Sequence, residues 1–109
     1  MTPNDTPPIL DRKLKILFAC TQNAVRSVIA EGLLCNAQHP AIEMVRSCGV
    51  IAGVADGFTI AVMADIGIDV SDHEPISFDH FQPNDFDVII SFSKDAEYYV
   101  RDWAGDTEK

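Results

Sequence analysis

The chain has 109 residues, enough for one domain with a modest core. Its 17 acidic side chains outnumber 8 lysines and arginines, giving a net charge of −9, so neither nucleic acid nor an anionic membrane is expected as a partner. No apolar run approaches a membrane span and no signal-peptide pattern opens the chain; three cysteines without framework spacing suit a reducing, cytoplasmic setting.

Residues 1–11, polar and holding three prolines, read as a flexible tail, and residues 12–109 as a single domain. Lys13 to Ala19 reads as a first strand, almost wholly apolar at its centre, as a strand covered on both faces should be. The pattern then predicts a helix over Ser27–Gln38, with Ile29, Ala30, Leu33, Leu34 and Ala37 on its apolar face and Cys35 beside it as a small core or edge residue. Ile42 to Ser47 reads as a second strand, followed by Cys48 as an inert packed thiol. Gly49, Gly53 and Gly57 punctuate a loop at the expected carboxyl ends of the strands, where open parallel sheets bind ligands. Thr59 reads as an N-cap, Ile60–Ile66 as a short helix and Gly67 as its stop.

The polar loop Ser71-Asp72-His73-Glu74, with Asp79 and His80 beyond it, matches no closed zinc pattern and reads as solvated. Pro83-Asn84-Asp85 is a turn and Phe86–Ser91 a third strand. Ser93 caps a last helix to about Trp103, with Ala96, Val100 and Trp103 as its stripe and Tyr98 and Tyr99 as surface and edge packing. Strand alternating with helix three times predicts an α/β fold, an open parallel sheet flanked by helices.

The stretch from Ile16 to Glu31 carries the chemistry. An apolar strand ends in Cys20, a short loop follows, and Arg26-Ser27 opens a helix. Cys-x5-Arg spacing alone is a weak signal; its place at a strand-to-helix turn strengthens it. Loop amides can curl around an oxyanion, the helix amino terminus adds its positive end, and the Arg26 guanidinium can grip two oxygens at once. The same surroundings favour the Cys20 thiolate, a nucleophile facing a bound phosphorus.

The run Cys20-Thr21-Gln22-Asn23-Ala24-Val25-Arg26-Ser27 resembles the phosphate loop of the low-molecular-weight protein tyrosine phosphatases and of the thioredoxin-coupled arsenate reductases that share their fold. Weaker resemblance continues through Arg46-Ser47-Cys48-Gly49, Gly67 to His73 and Phe86 to Ile90. It implies a flavodoxin-like, phosphotyrosine protein phosphatase I-like domain and hydrolysis of phosphate monoesters, phosphotyrosine first, without metal or cofactor. On that resemblance Cys20 is the nucleophile, and Thr21, Gln22, Asn23, Ala24, Val25 and Arg26 bind phosphate. Asn23 holds the loop, Ser27 donates to the thiolate, and Ser47 and His73 support Asn23. The expected ligands are a phosphorylated protein or small phosphate ester and oxyanions such as phosphate and sulfate.

The chain also departs from the pattern. Gln22 stands where a glycine is usual, a source of strain if that position needs φ > 0. Val25 replaces a second loop cysteine carried by many relatives. No Asp-Pro pair is present, so the general acid has no assignment; Asp102 and Asp106 are the acidic residues in the right half of the chain. The fourth strand, acid loop and last helix that the resemblance implies have no counterpart in these residues, so a fragment, a product shortened at the carboxyl end or a divergent member is expected. An exposed sheet edge with self-association is then expected. Arsenate reduction is the alternative enzyme reading, without the two later cysteines it uses, and a phosphate- or phosphotyrosine-binding module without turnover is the third.

Overall fold

The computed structural model describes residues 13–105. The expected tail 1–11 and Asp106 lie outside the described residues. Three parallel strands, β1 (Leu14–Cys20), β2 (Ile42–Gly49) and β3 (Val88–Ser91), form a sheet in the order β2-β1-β3. Three helices accompany them: α1 (Arg26–Ala37), α2 (Gly57–Asp65) and α3 (Lys94–Ala104). Two single-turn 3-10 helices, Phe78–His80 and Pro83–Asp85, lie between α2 and β3.

β1 is central because it is apolar on both sides: Ile16 to Cys20 are all buried. Leu17 and Ala19 join Cys48, Phe78, Ile89, Ala96 and Val100 in one core layer. Ile16 and Phe18 face the other way, with Val45 and, from α1, Ala30 and Leu34. Phe78 anchors the first layer, its ring 4.5 Å from that of Tyr99 and 4.7 Å from that of Trp103. Ala96 and Val100 are buried as the stripe on α3 predicts.

Several element ends fall elsewhere than the sequence pattern places them. β1 starts one residue late and runs through Cys20, since Lys13 is exposed while Cys20 still pairs with Gly49 of β2. β2 extends through Cys48, which is a strand residue and not a follower. β3 begins at Val88: the Gln82–Asp85 capping box winds the preceding turn, leaving Phe86 as its cap. α2 is capped by Asp56, whose carboxylate accepts from the Thr59 amide at 2.8 Å and the Thr59 hydroxyl at 2.7 Å; Thr59 lies inside the helix. α1 runs from Arg26, with Gln38 as its left-handed cap at φ 52°. On α1, Leu33, Cys35 and Ala37 are exposed, contrary to the apolar-face pattern; among the described residues the sheet beneath the helix is only three strands wide.

Candidate functional site

The loop between β1 and α1 is held from three sides. On the first, the segment after β2 runs along it: Val50, Ile51 and Gly53 amides donate to the carbonyls of Cys20, Thr21 and Gln22 at 3.1, 3.0 and 2.9 Å. Glycine is required for that approach. A Cβ on Gly49 would stand 2.7 Å from the Asn23 nitrogen and 2.6 Å from the Ile51 oxygen; on Gly53 it would stand 2.7 Å from the Gln22 Cβ. The positive φ in the loop falls on Asn23, at 56°, and not on Gln22, so the glutamine carries no left-handed strain. On the second side, the Thr21 hydroxyl donates to Ser93 Oγ at 3.0 Å, tying the loop to the cap of α3.

The third side is Asn23, fully buried. Its Oδ1 accepts from the Ile76 amide at 3.0 Å, which fixes the amide orientation. His73 Nε2 lies 3.1 Å from that oxygen and 3.2 Å from the Asn23 carbonyl. Both are acceptors, so Nε2 carries a proton. Asn23 Nδ2 donates to Ser27 Oγ and Ser47 Oγ, each at 2.9 Å. Ser47 in turn donates to Glu31 Oε1 at 2.5 Å, and that oxygen stands 3.8 Å from His73 Nδ1. Asn23, Ser27, Ser47 and His73 are therefore brought together. Glu31 is the member that residue-by-residue reading missed. Its signal was its place one helical turn beyond Ser27, on the same side of α1.

The network decides where the Ser27 proton goes. Asn23 Nδ2 can only donate, so the Ser27 hydroxyl hydrogen points to its other neighbour, Cys20 Sγ at 2.9 Å. Burial works to raise the Cys20 thiol. The Ser27 hydroxyl and the backbone N–H groups of Ser27, Asn23 and Ala24 outweigh it, so the thiol sits below its ordinary range. Replacing Ser27 by alanine removes the largest of these stabilising contacts. The midpoint of Cys20 alkylation against pH is expected to move upward, towards the ordinary cysteine value near ~8.5. Iodoacetamide rates across pH, read by peptide mass, check this; an unmoved midpoint would take Ser27 out of the account.

Thr21, Gln22, Ala24, Val25 and Arg26 line a cavity of about 210 Å³ with Cys20. Asn23 is not in that lining. Its side chain turns inward, so of the loop residues it alone points into the support network. The Arg26 guanidinium donates through Nη1 to the Phe92 carbonyl at 2.5 Å, a link from the loop to the end of β3.

The other cysteines stand apart. Cys48 is wholly buried in the Leu17–Ala19 layer, while Cys20 is bonded to Ser27 of α1; adjacent strand positions face opposite sides of the sheet. Burial, with Cys20 and Glu31 adding repulsion, pushes the Cys48 thiol up to about 12. Cys35 is exposed near the far end of α1, its thiol raised by desolvation and by Glu31. Asp102 is exposed near the carboxyl end of α3, nine residues beyond Ser93, or about 13 Å along the axis from the loop contact. Ser71, Asp72, Glu74, Asp79 and His80 are at least partly solvated, and no group of three His, Cys, Asp or Glu among the described residues could hold a metal ion. Nor is any described helix long and apolar enough to cross a membrane.

An α/β protein with a cysteine between a strand end and a helix start, lining a loop cavity of about 210 Å³, is the class that this fold and site define. The model of the low molecular weight phosphotyrosine protein phosphatases matches residues 15–109, and the chain belongs to that family. It is 35% identical over 77 residues to a glutaredoxin arsenate reductase of Synechocystis sp. (strain ATCC 27184 / PCC 6803 / Kazusa), covering 71% of this chain and 58% of that protein. The chain thus spans little more than half the length of this relative. Among solved structures it resembles an arsenate reductase in the phosphate binding state, with TM-score 0.67, 34% identity and coverage of 72% of this chain and 60% of the other. It also resembles the tyrosine phosphatase Wzb from Escherichia coli K30 in complex with sulphate, with TM-score 0.70, 26% identity and coverage of 85% and 66%.

Proposed function

We propose that the chain hydrolyses phosphate monoesters, protein phosphotyrosine first, through a cysteinyl-phosphate. One observation carries this reading: Cys20 Sγ lies 2.9 Å from the Ser27 hydroxyl in the lining of the loop cavity, with its thiol lowered. In the first step the thiolate attacks phosphorus, an S–P bond forms and the ester P–O bond breaks. The departing oxygen leaves with the bonding pair and takes a proton from solvent. Backbone amides from Thr21 to Arg26 and the Arg26 fork hold the equatorial oxygens while charge builds on them. Water then attacks phosphorus, the S–P bond breaks, and phosphate leaves with the thiolate restored.

The Arg26 role requires its guanidinium to turn from the Phe92 carbonyl towards the bound anion. Replacement of Arg26 by lysine keeps the charge and loses the planar fork. The expected result is at least about tenfold weaker inhibition by phosphate or vanadate, the loss of one charge-assisted hydrogen bond. Inhibition constants measured with p-nitrophenyl phosphate as substrate check it. Unchanged constants would place Arg26 outside the pocket.

A second reading, arsenate reduction, is favoured by the 35% identical relative. Within these residues neither other cysteine is placed to serve Cys20, because Cys48 is packed across the sheet and Cys35 lies near the far end of α1. Assay of p-nitrophenyl phosphate hydrolysis beside arsenite formation with glutathione and glutaredoxin separates the readings. Release of p-nitrophenolate without arsenite supports the phosphatase, arsenite supports the reductase, and neither, with phosphate still bound, leaves a binding module.

A further inference from the structure

A second cavity, of about 530 Å³, opens between α1 and the segment 67–73. That is within the size range of small-molecule sites and far more than a bare ion fills. Val28, Gly32, Ile68 and Val70 give it apolar lining, and Glu31, Asp69, Asp72 and His73 give it a polar wall. At Gly32 the helix packs closely on this wall, since a Cβ there would meet Met63 Cε at 2.9 Å and Val70 Cγ1 at 3.3 Å. No lysine or arginine lines it. Gln38, the cap of α1, and Gly67, just past α2, both line it, so two helix carboxyl ends add their negative potential.

The three carboxylates differ in what they already hold. Asp69 Oδ1 is engaged by the amide and hydroxyl of Ser71. Asp72 makes no hydrogen bond or ion pair among the described residues. Glu31 has its Oε1 on Ser47, with His73 Nδ1 at 3.8 Å, too long for a hydrogen bond. Glu31 and His73 thus belong to the cavity wall and to the network behind Asn23 at once.

We infer that this cavity binds an organic cation with an apolar body, an alkylammonium or alkylguanidinium, and that its occupancy loosens the Cys20 loop. The apolar lining takes the alkyl chain, and Asp72 and Glu31 take the charge. A cation on Glu31 competes with the Ser47 hydroxyl for the same carboxylate. The support of Asn23 weakens, and with it the loop geometry. Binding in the cavity stands on its own geometry; only the effect on oxyanions rests on the function proposed above.

The test titrates the full chain with n-hexylammonium while NMR follows the amides of Gly32, Gly67 and Val70, and measures phosphate affinity with and without it. Saturable shifts at those amides are expected, with much weaker binding of n-hexanol and hexanoate and a several-fold loss of phosphate affinity. Asp72→Asn, outside the loop network, should keep phosphate affinity and lose most of the cation binding. Absence of saturable shifts, equal binding of n-hexanol, or unchanged or tightened phosphate binding while the cavity fills would overturn the inference. Should phosphate itself not bind, the loop reading fails separately, and the Cys20 alkylation rate then reports the coupling: a change on filling supports it, and constancy overturns it.

Discussion

With Cys20 replaced by serine, p-nitrophenyl phosphate hydrolysis is expected to fall to background while phosphate still binds. On the proposed reading Cys20 is the nucleophile, the single group whose removal ends the covalent route, and such losses reach roughly 10⁴–10⁶-fold in well-studied hydrolases. The serine hydroxyl titrates far above the thiol, and the Ser27 proton donor that stabilises a thiolate cannot ionise it. Anion binding is expected to survive because the loop amides are backbone groups, fixed by the bonds from Val50, Ile51 and Gly53. Steady-state assay beside phosphate titration by calorimetry checks both halves. Residual turnover near the parent rate would remove the cysteinyl-phosphate; loss of binding together with turnover would mean that Cys20 shapes the pocket and does not only react in it.

The second large effect belongs to Asn23. Its replacement by alanine leaves the Ile76 N–H without its acceptor inside the protein, a penalty of about 1–3 kcal/mol. It also places a Cβ residue lacking local hydrogen bonds at φ 56°, which costs about 1–2 kcal/mol more. The sum, about 2–5 kcal/mol, is a large share of the 5–15 kcal/mol typical of a folded domain. Ser27 and Ser47 lose their shared donor at the same time, so the orientation of the Ser27 hydroxyl towards Cys20 is no longer enforced. Urea unfolding and the pH dependence of Cys20 alkylation should therefore change together. Replacement by glycine separates the parts, recovering the backbone share and none of the hydrogen bonds. Parent-like stability for the alanine variant would show that the network contributes nothing net.

Much of this was legible in the chain because the signals are local. An apolar run ending at Cys20, a polar loop and the helical spacing after Arg26 specify a strand, a turn and a helix without help from elsewhere. The Ala96–Val100 stripe and the Ser93 cap read off in the same way. What was not legible depends on distant partners. Thr59 has the chemistry of a cap, yet Asp56 three residues earlier captures both its amide and its hydroxyl. Leu33 and Ala37 sit at core spacing on a helix whose described neighbours do not reach them. Glu31 enters the site only because β2 delivers Ser47 beside α1. The Phe92 link of Arg26 depends on where β3 ends, and no spacing within the loop reports that.

α1 differs from its two companions in how it starts. Asp56 and Ser93 supply side-chain caps to α2 and α3, whereas Val25 supplies none to α1, and no acidic residue follows in its first turn. Its first turn opens on the Cys20 loop, with the Ser27 N–H turned to the cysteine sulfur and the groups beside it free of a side-chain cap. On the proposed reading, the ligand is then a structural part as much as a substrate. Anion at a hundred times its dissociation constant would add about 2.7 kcal/mol to the folded state by mass action. The fold would be firmest when product or substrate is abundant and softest when both are scarce. The survival of the polypeptide in a cell, set by chaperones and proteases acting on its open forms, would follow the supply of the anion it handles.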